Sequence, residues 1–266
     1  MTPATWLGVA GWPVAHSRSP DIQHAALRAA GLHDWRYVRL GLPPHLFAET
    51  VRALPRRGFR GINVTIPHKE AALALATEAT GTARAVGAAN TLTFTQGGTV
   101  HADNTDVRGL LDVLPPAAGR TALVLGAGGA GRAAAYALRT AGAEVFVWNR
   151  TPERAEQLAA ELGVGLAFGR QRADIVVNCT SVGLTGGAGA FKELPVGADS
   201  VGAGSCVVDM AYRAGGTPLL HAARGWGAAT VDGLEVLVAQ GAASFERWTG
   251  RSADRQAMRK AVDLFS

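Results

Sequence analysis

Cysteine is scarce in this chain: Cys179 and Cys206 are the only two among 266 residues. Both sit in apolar, strand-like runs, so two buried thiols are expected. A disulfide framework or a zinc site would need more cysteines or a ligand spacing that is absent, and no metal site is expected. No run of 18 apolar residues occurs, which argues against a membrane-spanning helix. The opening residues lack the charged-then-apolar pattern of a secretory signal. A cytoplasmic protein with no membrane partner is therefore the expectation. There is no low-complexity tract and no fixed-period repeat. Lys and Arg number 26 against 21 Asp and Glu, a formal net charge of +5, yet the arginines are scattered rather than gathered in a block. That disfavours a nucleic-acid partner and leaves a basic surface suited to small anionic ligands.

What is present points to an α/β protein. Hydrophobic residues make up 48%, enough for a substantial core, and the length suggests one or two domains. Strand-like runs are expected at Trp6–Gly11, Trp35–Leu40 and Phe59–Val64. A helix is expected from Pro20 to Ala30, with Ser19 as N-cap, Pro20 in the first turn and Gly31 as the stop. Further helices are expected at Pro43–Leu54 and Pro67–Ala76, and a hairpin at Asn90–Phe94 and Thr99–Ala102 around Gln96-Gly97-Gly98. After Asn104 the texture changes. A helix at Asp106–Leu114 leads to strands at Thr121–Leu125, Glu144–Trp148, Asp174–Asn178, Cys206–Met210 and Ala228–Val231. Two helices, Leu234–Trp248 and Asp254–Leu264, close the chain. Alternating strands and helices predict parallel sheets.

The most specific local signal is Gly126-Ala127-Gly128-Gly129-Ala130-Gly131. It follows an apolar strand directly and opens an alanine-rich helix, the context that makes a G-x-G-x-x-G match meaningful. Gly126 allows the tight turn, Gly128 lets backbone approach a pyrophosphate, and Gly131 lets the helix pack closely on the strand. The phosphates would meet the positive end of the helix. An NAD site places a carboxylate at the end of the next strand. Here that strand ends Trp148-Asn149-Arg150-Thr151, with Arg154 a turn later. Two guanidinium groups and a hydroxyl suit a 2′-phosphate, so NADP is expected.

Polar groups also gather in the first half. Ser17 and Ser19 are two apart before a helix and could receive a carboxylate at its positive end. Asn63 and Thr65 leave the end of a buried strand on one face, and Lys69 follows in the first helical turn. Such groups at a strand's carboxyl end are where open α/β sheets bind ligands.

Together these segments resemble the shikimate dehydrogenase family. The likeness runs through Gly11–Pro20, Gly61–Lys69, Gly87-Ala88-Ala89-Asn90-Thr91 and Asn104-Thr105-Asp106. It continues in Gly126–Arg132, Asn149-Arg150-Thr151, Asn178-Cys179-Thr180 and, in outline, Gly233–Gln240. The resemblance implies a substrate domain (1–103, completed by helices in 240–266) and a Rossmann-like NADP domain (104–239), with the active site in a cleft. It implies NADPH-driven reduction of 3-dehydroshikimate to shikimate, towards chorismate and the aromatic amino acids. Lys69 and Asp106 resemble the catalytic pair. Ser17 and Ser19 resemble carboxylate contacts, with Tyr212 nearby. Asn63, Thr65, Asn90 and Gln240 resemble the ligands of ring hydroxyls and neighbouring polar groups. Asn149, Arg150, Thr151 and Arg154 resemble the adenosine-phosphate grip, and Thr180, Met210 and Gly233 the nicotinamide end. A homodimer is the family-level expectation. The chain departs from the family pattern at Val107-Arg108, at Arg213–Gly216 and at Glu235-Val236. Quinate in place of shikimate, and a ligand-binding relative without catalysis, are the alternative functions.

Overall fold

The structure, a computed structural model, describes residues 4–95, 97–183 and 189–263. In chain order its elements are β1 (Thr5–Gly11), α1 (Ser19–Ala29), β2 (Trp35–Gly41), α2 (Pro44–Ala53), β3 (Phe59–Val64), α3 (Lys69–Leu75), β4 (Glu78–Ala79), α4 (Gly81–Val86), β5 (Thr91–Phe94), β6 (Val100–Asp103) and α5 (Thr105–Leu111). There follow β7 (Thr121–Leu125), α6 (Gly129–Thr140), β8 (Glu144–Trp148), α7 (Pro152–Leu162), β9 (Gly165–Leu166), β10 (Ile175–Asn178), β11 (Cys206–Asp209), α8 (Pro218–Gly225), β12 (Ala229–Asp232), α9 (Gly233–Thr249) and α10 (Arg255–Asp263). Among the described residues the strands form two six-stranded sheets. Among the described residues the chain divides into two compact units, 4–109 with 237–263, and 110–236. The divisions fall inside α5 and α9, a few residues from the 103/104 and 239/240 bounds that the family resemblance implies.

The first unit holds a mixed sheet in the order β2-β1-β3-β5-β6-β4. β1 pairs in parallel with both β2 and β3, and a strand so flanked is apolar on both faces. Leu7, Val9 and Ala10 are accordingly buried. β3 pairs antiparallel with β5, and β5 with β6, so the expected hairpin is present; Gln96, at its turn, lies outside the described residues. Phe47, Val51, Ile62, Val64, Leu92 and Phe94 join in one core cluster. Gly61 lets α9 come close, because a Cβ there would stand 2.2 Å from the Trp248 indole nitrogen, which donates to the Leu92 carbonyl.

Two expected helix starts are corrected. Ser19 is not an N-cap: Arg18 holds that position without a side-chain bond, and Ser17 Oγ accepts the Ser19 N–H. The helix expected from Pro67 begins at Lys69, because the His68 N–H closes a turn onto the Thr65 carbonyl first. Leu264, expected in the last helix, lies outside the described residues.

The second unit is a parallel sheet in the order β12-β11-β10-β7-β8-β9. Numbered from β7, this is the doubly wound 6-5-4-1-2-3 order, whose direction reverses between β7 and β10, and ligands bind outside the carboxyl ends of strands at that reversal. α6 packs on this sheet with the small buried residues Gly131, Ala133, Ala134, Ala135 and Ala137.

Candidate active site

In the first unit α3 and α5 bring together two groups 37 residues apart in sequence. Lys69 Nζ lies 2.6 Å from Asp106 Oδ2, and their side chains are 12% and 5% exposed. The residue before Lys69 is anchored hard. His68 donates from Nε2 to the Leu42 carbonyl at 2.6 Å and stacks on Phe47, 4.3 Å between ring centroids. Burial lowers the His68 pKa, opposed by that carbonyl. The backbone after Lys69 is tied as well, since its carbonyl accepts the Ala89 N–H.

Asn90 braces the carboxylate. Its Nδ2 donates to Asp106 Oδ1 at 2.8 Å and to Gln240 Oε1 at 3.2 Å. Its Oδ1 accepts the Thr105 N–H at 2.7 Å and faces the hydroxyls of Thr91 and Thr105. Asn63 is engaged at both ends: Tyr37 donates to its Oδ1, and its Nδ2 donates to Ser244, the Asn90 carbonyl and Thr91. Gln240 gives one N–H to the Leu237 carbonyl. It is seated by Gly109, where a Cβ would stand 2.7 Å from the Gln240 backbone nitrogen. The expected residues Lys69, Asp106, Asn63, Asn90 and Gln240 therefore share one hydrogen-bonded network.

Ser17, Ser19 and Thr65 stand outside that network. The two serine hydroxyls, both buried, bond each other at 3.2 Å. Arg39 holds the loop by donating from Nε and Nη2 to the Ser17 carbonyl. Thr65 fits beside the missing side chain of Gly11, where a Cβ would meet its Cγ2 at 2.4 Å. Its hydroxyl makes no hydrogen bond among the described residues. Tyr212 belongs to the second unit, half-buried on the loop after β11.

The second unit carries the glycine-rich turn at the point of reversal. Gly126 adopts φ +104°, and a Cβ on Gly131 would lie 1.9 Å from the Gly126 carbonyl oxygen. The open side of the turn is Gly128, which has nothing within 4 Å of a Cβ position and starts α6 without a side-chain cap. Asn149 accepts the Ala127 N–H and donates to the Thr151 carbonyl, so it fixes the turn to the end of β8. Thr151 caps α7 with no side-chain bond, and Arg150 and Arg154 are exposed and in no ion pair among the described residues. A bare helix N-terminus, a glycine cradle and two available guanidinium groups suit a dinucleotide with a 2′-phosphate.

Across from this turn, Thr180 donates to Asn178 Oδ1 at 2.7 Å. Gly233 lies under the next loop, where a Cβ would come within 2.6 Å of the Met210 carbonyl. Asp209 is the residue that sequence reasoning missed here. It is fully buried and accepts from Asn178, the Ala211 N–H and Thr217. Burial raises its pKa to about 6, opposed by those three bonds and assisted by Asp232. A carboxylate ending the apolar run Cys206–Val208 was the available signal. Tyr37 and Ser244 were missed as well, with nothing in their local sequence to mark them, and Thr91 and Thr105, although inside the matching segments Gly87–Thr91 and Asn104–Asp106, were given no role. Among the described residues no group of three His, Cys, Asp or Glu could hold a metal, and no helix is long and apolar enough to cross a membrane.

Fold and site define the class: a two-unit α/β oxidoreductase with a doubly wound, NADP-type dinucleotide domain. The chain matches the shikimate dehydrogenase substrate binding domain over residues 9–92, shikimate / quinate 5-dehydrogenase over 111–183, and the shikimate 5'-dehydrogenase C-terminal domain over 233–262. It is 44% identical to the NADP(+) shikimate dehydrogenase of Gluconobacter oxydans (strain 621H), covering 97% of this chain and 94% of that one. With the same enzyme of Roseobacter denitrificans it shares 41% over 98% and 99% of the two chains. Its structure is similar to shikimate 5-dehydrogenase from Thermus thermophilus, solved with NADP(H) and shikimate, with TM-score 0.88, 38% identity and coverage of 98% and 100%. The chain belongs to the shikimate dehydrogenase family.

Proposed function

We propose that this enzyme interconverts 3-dehydroshikimate and shikimate with NADP, and that Lys69 and Asp106 handle the proton. The first unit binds the substrate and the second binds NADP through Gly126–Gly131, with Arg150, Thr151 and Arg154 on the 2′-phosphate and Thr180, Met210 and Gly233 at the nicotinamide end. The 2.6 Å contact between two nearly buried groups carries the reading. Bound NADPH supplies the hydride to the ketone carbon. Hydride addition leaves negative charge on the ketone oxygen, and Lys69 stabilises it and delivers a proton from Nζ, completing the hydroxyl. Asp106 holds the amine in place through Oδ2, and Asn90 holds Asp106 through Oδ1.

Hydrogen-bonding capacity sorts the remaining residues. Thr65, one N–H of Gln240 and the Ser17–Ser19 pair remain able to meet a substrate. Ser17 and Ser19 take its carboxylate, and Tyr212 assists. Asn63 has both N–H groups engaged and acts as a brace. Asn90 offers an N–H to a ring hydroxyl by exchanging its longer bond to Gln240. In the same reading the enzyme works in the cytoplasm as a homodimer, the commonest symmetric assembly, for the aromatic amino-acid route.

The test is absorbance of reduced nicotinamide while purified protein oxidises shikimate or quinate, each with NADP or NAD. Shikimate with NADP should turn over fastest, and folded Lys69→Ala and Asp106→Asn should each lose about 10²- to 10⁴-fold in kcat. Faster quinate turnover would change the substrate, and full activity in Lys69→Ala would overturn the proton assignment.

A further inference from the structure

Behind the Lys69–Asp106 pair lies a cluster of three buried hydroxyls that the mechanism above leaves unused. Thr91 Oγ1, Thr105 Oγ1 and Ser244 Oγ lie 2.9–3.1 Å from one another. Thr91 and Ser244 are fully buried and Thr105 is 4% exposed. Each comes from a different element, β5, α5 and α9. Ser244 reaches furthest: it accepts from Asn63 at 2.8 Å and donates to the Gln240 carbonyl at 3.0 Å. Desolvating three hydroxyls costs free energy unless each is bonded; here the Thr91 and Thr105 protons go to one amide oxygen and the Ser244 proton goes to the Gln240 carbonyl.

That amide is Asn90. The two threonine hydroxyls and the Thr105 N–H all point at its Oδ1. A flipped amide would set N–H against the Thr105 N–H and oxygen against the Asp106 carboxylate. The donors around Oδ1 therefore fix which end faces Asp106. We infer that Thr91 and Thr105, with Ser244 seated against both of their hydroxyls, are positioning residues for the catalytic pair, acting through Asn90 to hold Asp106 against Lys69. This rests on the assignment of Lys69 and Asp106 above.

The experiment is steady-state kinetics of Ser244→Ala and Thr91→Val, alone and combined with Asn90→Ala, with Lys69→Ala in parallel. Thr91→Val keeps the shape and removes the hydroxyl, so it decides the matter if Ser244→Ala does not fold. Misplaced catalytic groups cost up to about 100-fold. Each single variant should lose about 10- to 100-fold in kcat with KM for NADP within about twofold. In the Asn90→Ala background the same substitutions should cost nothing further, because their target is gone. Wild-type kcat with only a lowered Tm, or losses that multiply with Asn90→Ala, would overturn the inference while an inactive Lys69→Ala left the assignment of the pair standing. An active Lys69→Ala would instead remove the premise.

Discussion

Asn90 holds one oxygen of Asp106, at 2.8 Å, and leaves the other to Lys69 at 2.6 Å. Both carboxylate oxygens are thus committed, one to a neutral amide that cannot supply the proton and one to an ammonium that can. The pair is oriented by a scaffold, so its geometry does not depend on the charge attraction alone.

Reversing the polarity of that scaffold should be worse than deleting it. Asn90→Ala leaves Asp106 Oδ1 and the Thr105 N–H without their partner, and a buried group so stranded costs about 1–3 kcal/mol. Asn90→Asp keeps the acceptor for Thr105 but sets a carboxylate against Asp106. At neutral pH Asn90→Asp should show both the lower kcat and the larger loss of stability of the two, measured by turnover and by urea unfolding. Equal kcat in both variants would argue against the orientation of the amide.

Cofactor choice should reside in Arg150 and Arg154. Both are exposed, and the end of β8 offers no carboxylate to a ribose. A hydrogen bond to a charged group contributes about 1.5–3 kcal/mol, so either alanine variant should raise KM for NADP by about 10- to 100-fold. Activity with NAD, which lacks the phosphate, should stay within about twofold. A parallel loss with both cofactors would place the arginines elsewhere.

What was legible in the sequence was what lies close along the chain. Gly126, Gly128 and Gly131 form one turn, and their spacing carries its own structural meaning. Lys69 and Asp106 could be named one at a time, but their meeting depends on β3, β5 and α5 folding together, which periodicity does not encode. Ser244 sits in Gln240-Gly241-Ala242-Ala243-Ser244, which reads as an ordinary apolar helix face. Its function comes only from Asn63, Thr91 and Thr105 arriving from elsewhere. Helices α4, α7 and α8 are left unassigned by the sequence reading although each has a start signal. Thr80 and Thr217 accept N–H bonds from three residues on, and Pro152 and Pro218 follow threonines. Ser19 shows the converse failure, a good capping residue drawn into the first turn because the Asp21 and Ile22 N–H groups bond the Arg18 carbonyl.

Gly131→Ala should separate cofactor binding from substrate binding. The added Cβ would lie 1.9 Å from the Gly126 carbonyl oxygen, a backbone atom, so the turn or α6 must shift. NADPH binding, followed by nicotinamide fluorescence, should weaken at least about 100-fold, since the phosphate cradle relies on that backbone. Shikimate binding, followed by calorimetry without cofactor, should be unchanged, because its proposed ligands other than Tyr212 belong to the other unit and Tyr212 lies on a loop far along the chain from Gly131. Undiminished NADPH affinity would mean that the turn does not hold the phosphates.

Asp209 should leave a signature in the pH dependence of stability. Burial raises its carboxyl from the ordinary 3.8 to about 6, despite bonds from Thr217, the Ala211 N–H and Asn178 that favour the ionised form. In the unfolded chain the same group ionises near pH 4, as a rough reference value. Between the two values the folded protein keeps a proton that the unfolded chain has released, so stability falls as pH rises through that window. The shift corresponds to about 3 kcal/mol, reached once pH exceeds about 7. Asp209→Asn preserves the shape and has no proton to lose. Unfolding free energy of the wild type minus that of Asp209→Asn, from urea titrations, should therefore decline by about 3 kcal/mol between about pH 4 and pH 7. A flat difference would mean that the loops around Asn178 and Thr217 stabilise the ionised carboxylate fully, and that Asp209 is a fixed charge behind Thr180 and Met210 throughout this range.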